Sequence, residues 1–149
     1  MKVRGFEVVS SYQNKMINLP KRQTLHSAGY DIESAETVVI HPQEVKLVKT
    51  GLKAYMQPDE VLQVYIRSSI PIKKGLMMAN NVGIIDSDYY NNEKNEGHIM
   101  IPLYNFSKNP VIINKGDKIA QGIYIKYLTT DNDEPVERIR AGGFGSSSE

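Results

Sequence analysis

The sequence predicts an all-β fold, a jelly-roll-like β-barrel or sandwich subunit with at most one short helix. Short segments rich in Val, Ile and Tyr alternate with clusters of turn-forming residues, a pattern typical of strands joined by tight turns. The 149 residues suit one domain. The one helix-like stretch is Ser68–Lys74, where Ser68 or Ser69 is a candidate N-cap and Pro71 is tolerated in the first turn.

Four turn clusters separate most of the predicted strands: His41–Glu44, Gln57–Glu60, Ser107–Pro110 and Asn114–Asp117. The strands are expected, to within a few residues at each end, at Val3–Val9, Thr37–Ile40, Val45–Lys49, Val61–Ile66, Ile99–Leu103, Val111–Ile113 and Lys118–Tyr127.

Two finer expectations accompany this pattern. In the last strand, Gln121 is predicted to interrupt an inward face formed by Ile119, Ile123 and Ile125. The polar stretch Asn91–Glu96 is predicted to be a solvated loop. Residues 1–139 are therefore assigned to one β domain and residues 140–149 to a flexible, glycine- and serine-rich arm of the same domain.

Composition and charge exclude several classes of function. Lys and Arg total 18 against 17 for Asp and Glu, so the net charge of +1 gives no electrostatic case for nucleic acid or an anionic membrane. Cysteine is absent, which excludes disulfides, thiolate metal sites and thiol nucleophiles. No signal peptide or membrane span is recognisable in the sequence. The expected compartment is the cytoplasm.

Polar residues at strand ends mark a candidate site. Asp31 follows a glycine in the strand-like Ala28–Ala35, where an Asx turn is the structural alternative. The Arg67-Ser68-Ser69 triplet follows an apolar run, so a cation and two hydroxyls emerge where a strand gives way to a helix start, a place that suits phosphate.

A third cluster resembles a strand that feeds a hairpin, with Asp86 directly after Ile84 and Ile85. An acid held against apolar neighbours is placed to act as a general base for water, and Tyr89 three residues later offers a ring to a sugar; a simple turn acid is the alternative. The tail Arg140–Glu149 combines a cation, a ring, glycines and serines, groups that bind phosphate and base but build no core.

These clusters resemble, in order, the five motifs of the trimeric dUTP diphosphatase (dUTPase) family. The matching segments are Ala-Gly-Tyr-Asp, Arg-Ser-Ser, Gly-Ile-Ile-Asp-Ser-Asp-Tyr, Gly-Asp-Lys-Ile-Ala-Gln and Gly-Gly-Phe-Gly-Ser-Ser, and they span residues 28–148. The resemblance implies a jelly-roll subunit and a homotrimer with active sites at subunit interfaces. It also implies hydrolysis of dUTP to dUMP and pyrophosphate with Mg²⁺ as cofactor.

The resemblance also assigns roles to individual residues. Asp86 corresponds to the acid that activates water for attack on the α-phosphorus, and Tyr89 to the ring that packs on deoxyribose and excludes a 2′-hydroxyl. Asn80, Gly83 and the backbone of Met100 correspond to positions that bind the uracil end of the substrate.

The remaining assignments concern the triphosphate. The phosphate-contacting positions are Arg67, Ser68, Ser69 and Gln121, and Asp31 corresponds to an acid that holds the magnesium through water. In the mobile arm, Arg140 is implied to meet phosphate, Phe144 to cover the uracil, and Gly145, Ser146 and Ser147 to close on the γ-phosphate. Gln121 and Arg140 are thereby assigned to catalysis together with Asp86.

The chain departs from the family pattern in ways that leave alternatives open. Lys118 replaces a usual arginine, Asn91–Gly97 lengthens a hairpin, and Arg138 is an alternative arm cation to Arg140. A second interpretation is a nucleotide-binding regulator that acts on a protein partner through Asn91–Gly97. A third, dCTP deaminase, requires a catalytic acid where this chain has Pro102.

The arm also carries an expectation about assembly. It bears phosphate-binding groups but has no core of its own to dock on nearby. Arm and Asp86 at one active site are therefore expected to come from different chains.

Overall fold

The chain folds into eleven short strands and one helix within the residues described by this computed structural model, 1–134, 140 and 142. The strands are β1 (Gly5–Val8), β2 (Tyr30–Glu33), β3 (Val38–Ile40), β4 (Val45–Lys49), β5 (Leu52–Tyr55), β6 (Glu60–Ile66), β7 (Leu76–Met78), β8 (Gly83–Asp86), β9 (Met100–Asn105), β10 (Val111–Ile113) and β11 (Lys118–Lys126). The helix is α1 (Ser69–Lys74), and two 3-10 turns lie at Ser10–Tyr12 and Ser87–Tyr89.

The strands form antiparallel sheets whose neighbours are distant in sequence. A four-stranded sheet has the order β2-β11-β6-β8, and a three-stranded sheet has the order β4-β9-β7. The pairs β1-β5 and β3-β10 complete the architecture. This arrangement confirms the predicted all-β, jelly-roll-like class. Across the described residues, no helix combines the length and hydrophobicity that a membrane span requires.

One hydrophobic core joins the inner faces of the two larger sheets. Ile32 and Leu62 come from the four-stranded sheet, and Ile101 and Leu103 come from the central strand of the three-stranded sheet. All four side chains are fully buried, and burial of each contributes about 1.5–3 kcal/mol to folding. The core therefore fixes the outward-facing strand ends that carry the polar motifs.

Most predicted elements are confirmed, and the misses have local causes. β4 and β10 have the predicted bounds, β3, β6, β9 and β11 differ by one or two residues, and α1 begins at Ser69 with Ser68 as its N-cap residue. β5 and β7 were not predicted. Each is short and directly follows a glycine with positive φ, Gly51 or Gly75, so a tight turn leaves little sequence to mark a separate strand.

The predicted inward face of β11 is wrong because the strand contains a register shift. The pairing of β11 with β2 shifts between Lys118 and Ala120, so Ile119 and Ala120 are both buried. Beyond this bulge, Gly122 is buried while Gln121 is partly exposed. Gln121 is therefore not a buried amide in the core but lies on the opposite face of the strand.

The prediction of a solvated loop at Asn91–Glu96 is also wrong in part. Asn92 is buried, and its side chain donates to the backbone oxygen of Tyr89 at 2.8 Å and to Oδ1 of Asn95 at 2.7 Å. A sequence rich in Asn, Glu and Lys is typical of an exposed loop. In this loop, however, the Asn side chains accept hydrogen bonds from backbone N–H groups of the loop itself.

Asn105 provides a test of this architecture because it is a fully buried polar residue at the end of β9. Its Nδ2 donates to the carbonyls of Ile40 and Asn109, and its Oδ1 accepts from the backbone and hydroxyl of Ser107. We expect Asn105→Ala to lower the free energy of unfolding by about 2–4 kcal/mol, because the buried carbonyl of Ile40 and the partly buried contacts to Ser107 and Asn109 lose their partner.

The measurement is denaturant unfolding at fixed protein concentration. Asn114→Ala is the matched control, because Asn114 is exposed, and its effect should stay within about 0.5 kcal/mol. Equal effects of the two substitutions would contradict this role of Asn105.

Candidate active site

An apolar cavity of about 290 Å³ lies between β8, the 3-10 turn that follows it, and β9. Its lining includes Asn80, Gly83, Tyr89 and Met100, which are expected to bind nucleoside, and Asp86, which is expected to activate water. The rest of the lining consists of Arg140 and the apolar side chains of Val64, Met78, Val82, Ile84, Ile85, Ile99 and Ile101. Such a concave, largely apolar surface with a few polar groups is the usual form of a small-molecule site.

Asp86 lies at the mouth of this cavity because β8 ends there. It is the last residue of the strand and precedes the 3-10 turn, with an extended backbone at φ −76° and ψ 156°. Its side chain is 48% exposed. The carboxylate is thus accessible to water while it borders apolar residues.

Arg140 contacts Asp86 within the same chain. Its Nη2 donates to Oδ2 of Asp86 at 2.5 Å, and its Nε donates to Oδ1 of Asp88 at 2.7 Å. Two adjacent carboxylates form a pair that one guanidinium bridges, and the Arg140 side chain is only 17% exposed. This contact differs from the expectation that arm and acid at one site come from different chains.

Tyr89 is held rigidly beside the cavity. It is 6% exposed, its hydroxyl donates to the backbone oxygen of His98 at 2.7 Å, and it accepts from Nδ2 of Asn95 at 2.9 Å. Burial raises the pKa of the Tyr89 hydroxyl above its ordinary value of 10.0, so the ring stays neutral at physiological pH. The side chain can therefore serve as a packing surface.

A second polar group lies at the other end of the four-stranded sheet. Asp31 of β2 is opposite Gln121 of β11, and Nε of Arg67 is 3.3 Å from Oδ1 of Asp31. The amide of Gln121 lies directly over Gly29, where a Cβ atom would be 2.2 Å from its Oε1. Glycine at position 29 is therefore required for this close approach.

This second group contains one unpartnered acceptor and several donors. Asp31 is 9% exposed, and its Oδ2 is buried without a hydrogen-bond partner among the described residues. Ser68 occupies the N-cap position of α1, but its side chain makes no capping hydrogen bond. Together with Ser69 and Arg67, it offers donors that local helix capping does not consume.

The two polar groups lie at opposite ends of β6. Asp86 pairs with Val61 at one end, whereas Arg67 follows the last residue at the other end. Six residues of strand at about 3.3 Å each separate the two ends by about 20 Å. One chain therefore does not bring Asp86 and Arg67 to the same phosphate group.

Some expectations lie outside the described residues. These are the arm residues Phe144, Gly145, Ser146 and Ser147 and the alternative cation Arg138. Conversely, sequence reasoning missed Asn95 and Asn92 as supports of Tyr89. The only available signal was their position directly after the motif that contains Tyr89.

Comparison with known proteins places these observations in a family. The sequence model of the dUTPase family matches residues 15–148. The deoxyuridine 5′-triphosphate nucleotidohydrolase of Lactococcus lactis subsp. lactis (strain IL1403) is 57% identical over 148 residues, which cover 99% of each chain.

Solved structures agree with this match. The crystal structure of dUTPase from Streptococcus mutans superposes with a TM-score of 0.82 at 46% identity, and the match covers 86% of this chain and 99% of that one. A mutant dUTPase from phage phi11 of S. aureus, in which a structural Mg(II) ion is coordinated, has a TM-score of 0.73 at 25% identity over 92% of this chain and 98% of that one. Motif order, cavity and fold lead to one conclusion: the chain belongs to the dUTPase family, the nucleotidohydrolases that act on dUTP.

Proposed function

We propose that this enzyme hydrolyses dUTP to dUMP and pyrophosphate with Mg²⁺ and that Asp86 activates the attacking water. The observation that carries the mechanism is the position of Asp86, a partly exposed carboxylate at the mouth of an apolar cavity. The water oxygen bonds to the α-phosphorus, the bond from that phosphorus to the α–β bridging oxygen breaks, and pyrophosphate leaves. Asp86 accepts the proton released from the water.

The cavity supports nucleoside recognition. Asn80 and the backbone of Met100 border it and supply donors and acceptors for a pyrimidine edge. Tyr89 supplies a neutral, buried ring against the sugar, where a 2′-hydroxyl would lack both space and a partner. The substrate is therefore expected to be a deoxyribonucleotide.

The second polar group supports triphosphate binding with a metal ion. No cluster of three or more His, Cys, Asp or Glu residues suited to a metal ion occurs in the described residues. Magnesium on a triphosphate needs no such cage, and the unpartnered Oδ2 of Asp31 fits a role as an outer acceptor for its water ligands. The ion would neutralise charge on the phosphates, while Arg67, Ser68, Ser69 and Gln121 orient them.

The separation along β6 supports a homotrimer with active sites at subunit interfaces. Arg67 and Asp86 must act on one substrate but lie about 20 Å apart in a single chain. A heterologous interface that closes as a ring places one end of a chain against the other end of its neighbour. Each site would then combine Asp86 of one subunit with Arg67 of another.

The structure disfavours deamination, because the position that requires a catalytic acid holds a proline. Pro102 lies there, buried in the middle of β9 and paired with Leu47. It has no titratable group for proton transfer.

A cytoplasmic location remains part of the proposal.

Asp86→Asn tests the general base. We expect kcat to fall about 100-fold or more with dUTP affinity nearly unchanged, because the amide keeps the shape and loses the proton acceptor. Asp88→Asn is the matched control, since Asp88 also contacts Arg140. Steady-state kinetics and dUTP binding are measured for both variants. Similar losses of kcat in the two would show that Asp86 only anchors Arg140.

Asp31→Asn tests the proposed outer acceptor for magnesium. We expect the Mg²⁺ concentration for half-maximal activity to rise about tenfold, because an amide holds a metal-bound water less strongly than a carboxylate. Glu33→Gln on the same strand is the control, because Glu33 contacts Asn18 rather than Arg67. An unchanged Mg²⁺ requirement in Asp31→Asn would remove Asp31 from this role.

Co-refolding of two inactive variants tests the shared site. Asp86→Asn chains lack the proposed base, and Arg67→Ala chains lack a phosphate-binding cation. Mixed oligomers should therefore contain some sites in which Asp86 and Arg67 are both intact, in a fraction that follows the mixing ratio. Subunit exchange is verified with differently tagged chains. If exchange occurs and no mixture exceeds the activity of its parents, the two halves belong to one chain.

The same design locates the arm. Arg140 contacts Asp86 of its own chain. Asp86→Asn chains mixed with chains truncated before Arg140 therefore show whether arm and acid at one site come from one chain or from two. Recovery would show that arm and acid come from different chains, as the sequence indicated. Exchange without recovery would show that the intrachain arrangement persists in the oligomer.

A further inference from the structure

The loop Asn91–Gly97, hereafter the 91–97 loop, closes on the hydroxyl of Tyr89. The ring of Tyr89 borders the cavity at one end, and its hydroxyl is held at the other end between His98 and Asn95. A phenol that donates one hydrogen bond and accepts another has little freedom to tilt. The far end of the ring is thus fixed by the loop and the adjoining His98, not by the cavity.

The orientation of the Asn95 amide follows from its own partners. Its Oδ1 accepts from Nδ2 of Asn92 at 2.7 Å and from the backbone N–H of Gly97 at 3.0 Å. Since both contacts require an acceptor, the Nδ2 group must point the other way, toward the hydroxyl of Tyr89 at 2.9 Å. The hydroxyl proton is then directed to the carbonyl of His98.

The loop that carries Asn95 is itself anchored. Gly97 has φ +87°, and a Cβ atom there would lie 2.7 Å from the backbone oxygen of Tyr89, so the loop packs tightly under that residue. The Glu96 carboxylate accepts from the backbone N–H and hydroxyl of Ser10 and pairs with Lys53 at 2.7 Å. These contacts give Asn95 a fixed platform.

We propose that Asn95 is a positioning residue that sets sugar selectivity by fixing the orientation of the Tyr89 ring against the deoxyribose. The inference rests on the proposed function of Tyr89. If the hydroxyl loses its donor, the ring gains freedom to tilt and admits a 2′-hydroxyl. The 91–97 loop thereby acts on substrate choice without touching substrate.

The experiment measures the ratio of kcat/KM for dUTP to kcat/KM for UTP. Asn95→Ala should lower this ratio about tenfold, mainly through better use of UTP, as expected for the loss of one buried hydrogen bond. Asn95→Leu keeps nearly the same side-chain size but offers the hydroxyl neither donor nor acceptor, so it should lower the ratio as well. Thermal unfolding checks that both variants remain folded.

A double-substitution cycle separates positioning from a general structural role. Tyr89→Phe removes the hydroxyl through which Asn95 acts, so adding Asn95→Ala to Tyr89→Phe should cause no further fall in the ratio. Lys94→Ala is the matched control in the same loop, because the Lys94 side chain is exposed and only its backbone N–H contacts Asn92. Its ratio should equal that of the wild type.

Tyr89→Ala distinguishes failure of this inference from failure of the proposed function. If Tyr89→Ala lowers the ratio but Asn95→Ala and Asn95→Leu do not, the positioning role is overturned and the role of Tyr89 stands. If Tyr89→Ala itself leaves the ratio unchanged, the proposed role of Tyr89 fails and the inference fails with it. A further fall in the double variant would also overturn action through the hydroxyl.

Discussion

The central position of β6 is the constraint on which the rest of the site depends. The strand pairs with β11 along one edge and with β8 along the other, so it fixes both polar groups in space. Its pairing places Asp86 at one end and Arg67 beyond the other, about 20 Å away. Because β6 is hydrogen-bonded to a neighbouring strand on each side and one of its faces is buried, local motion does not shorten this distance. In the proposed mechanism, which uses both Asp86 and Arg67 on one substrate, this separation calls for a second copy of the chain.

Arg140 connects the electrostatics of the site to its chemistry. The guanidinium bridges Asp86 and Asp88 in the single chain, whereas the proposed function gives the same cation to phosphate. Arg140 contacts only Oδ2 of Asp86, so Oδ1 keeps its lone pairs for water. In the proposed mechanism, the transfer of Arg140 to phosphate releases Oδ2 as well, while Oδ1 is already able to accept.

The sequence predicted the fold class better than the details of pairing, and it singled out residues that the structure brings around one cavity. Turn clusters and apolar runs were sufficient for β4, β10 and α1, and the strand end at Asp86 followed from Ile84 and Ile85. The bulge near Ile119 was not predictable, because register depends on a partner strand far away in sequence.

The 91–97 loop was also misjudged for a physical reason. Its polar composition gives no sign that Asn92 is buried or that Asn95 points at Tyr89, since amides satisfy buried backbone groups as readily as water does. The Asp31–Arg67 contact was not predictable for the same reason. Asp31 on β2 and Arg67 after β6 come together because both strands pair with β11.

A crystal structure of the oligomer with Mg²⁺ and a non-hydrolysable dUTP analogue would test the shared site most directly. We expect the α-phosphate to lie within reach of a water bound to Asp86 of one chain, while the Arg67 that contacts the same analogue belongs to another chain. An analogue held by Asp86 and Arg67 of a single chain would contradict this expectation.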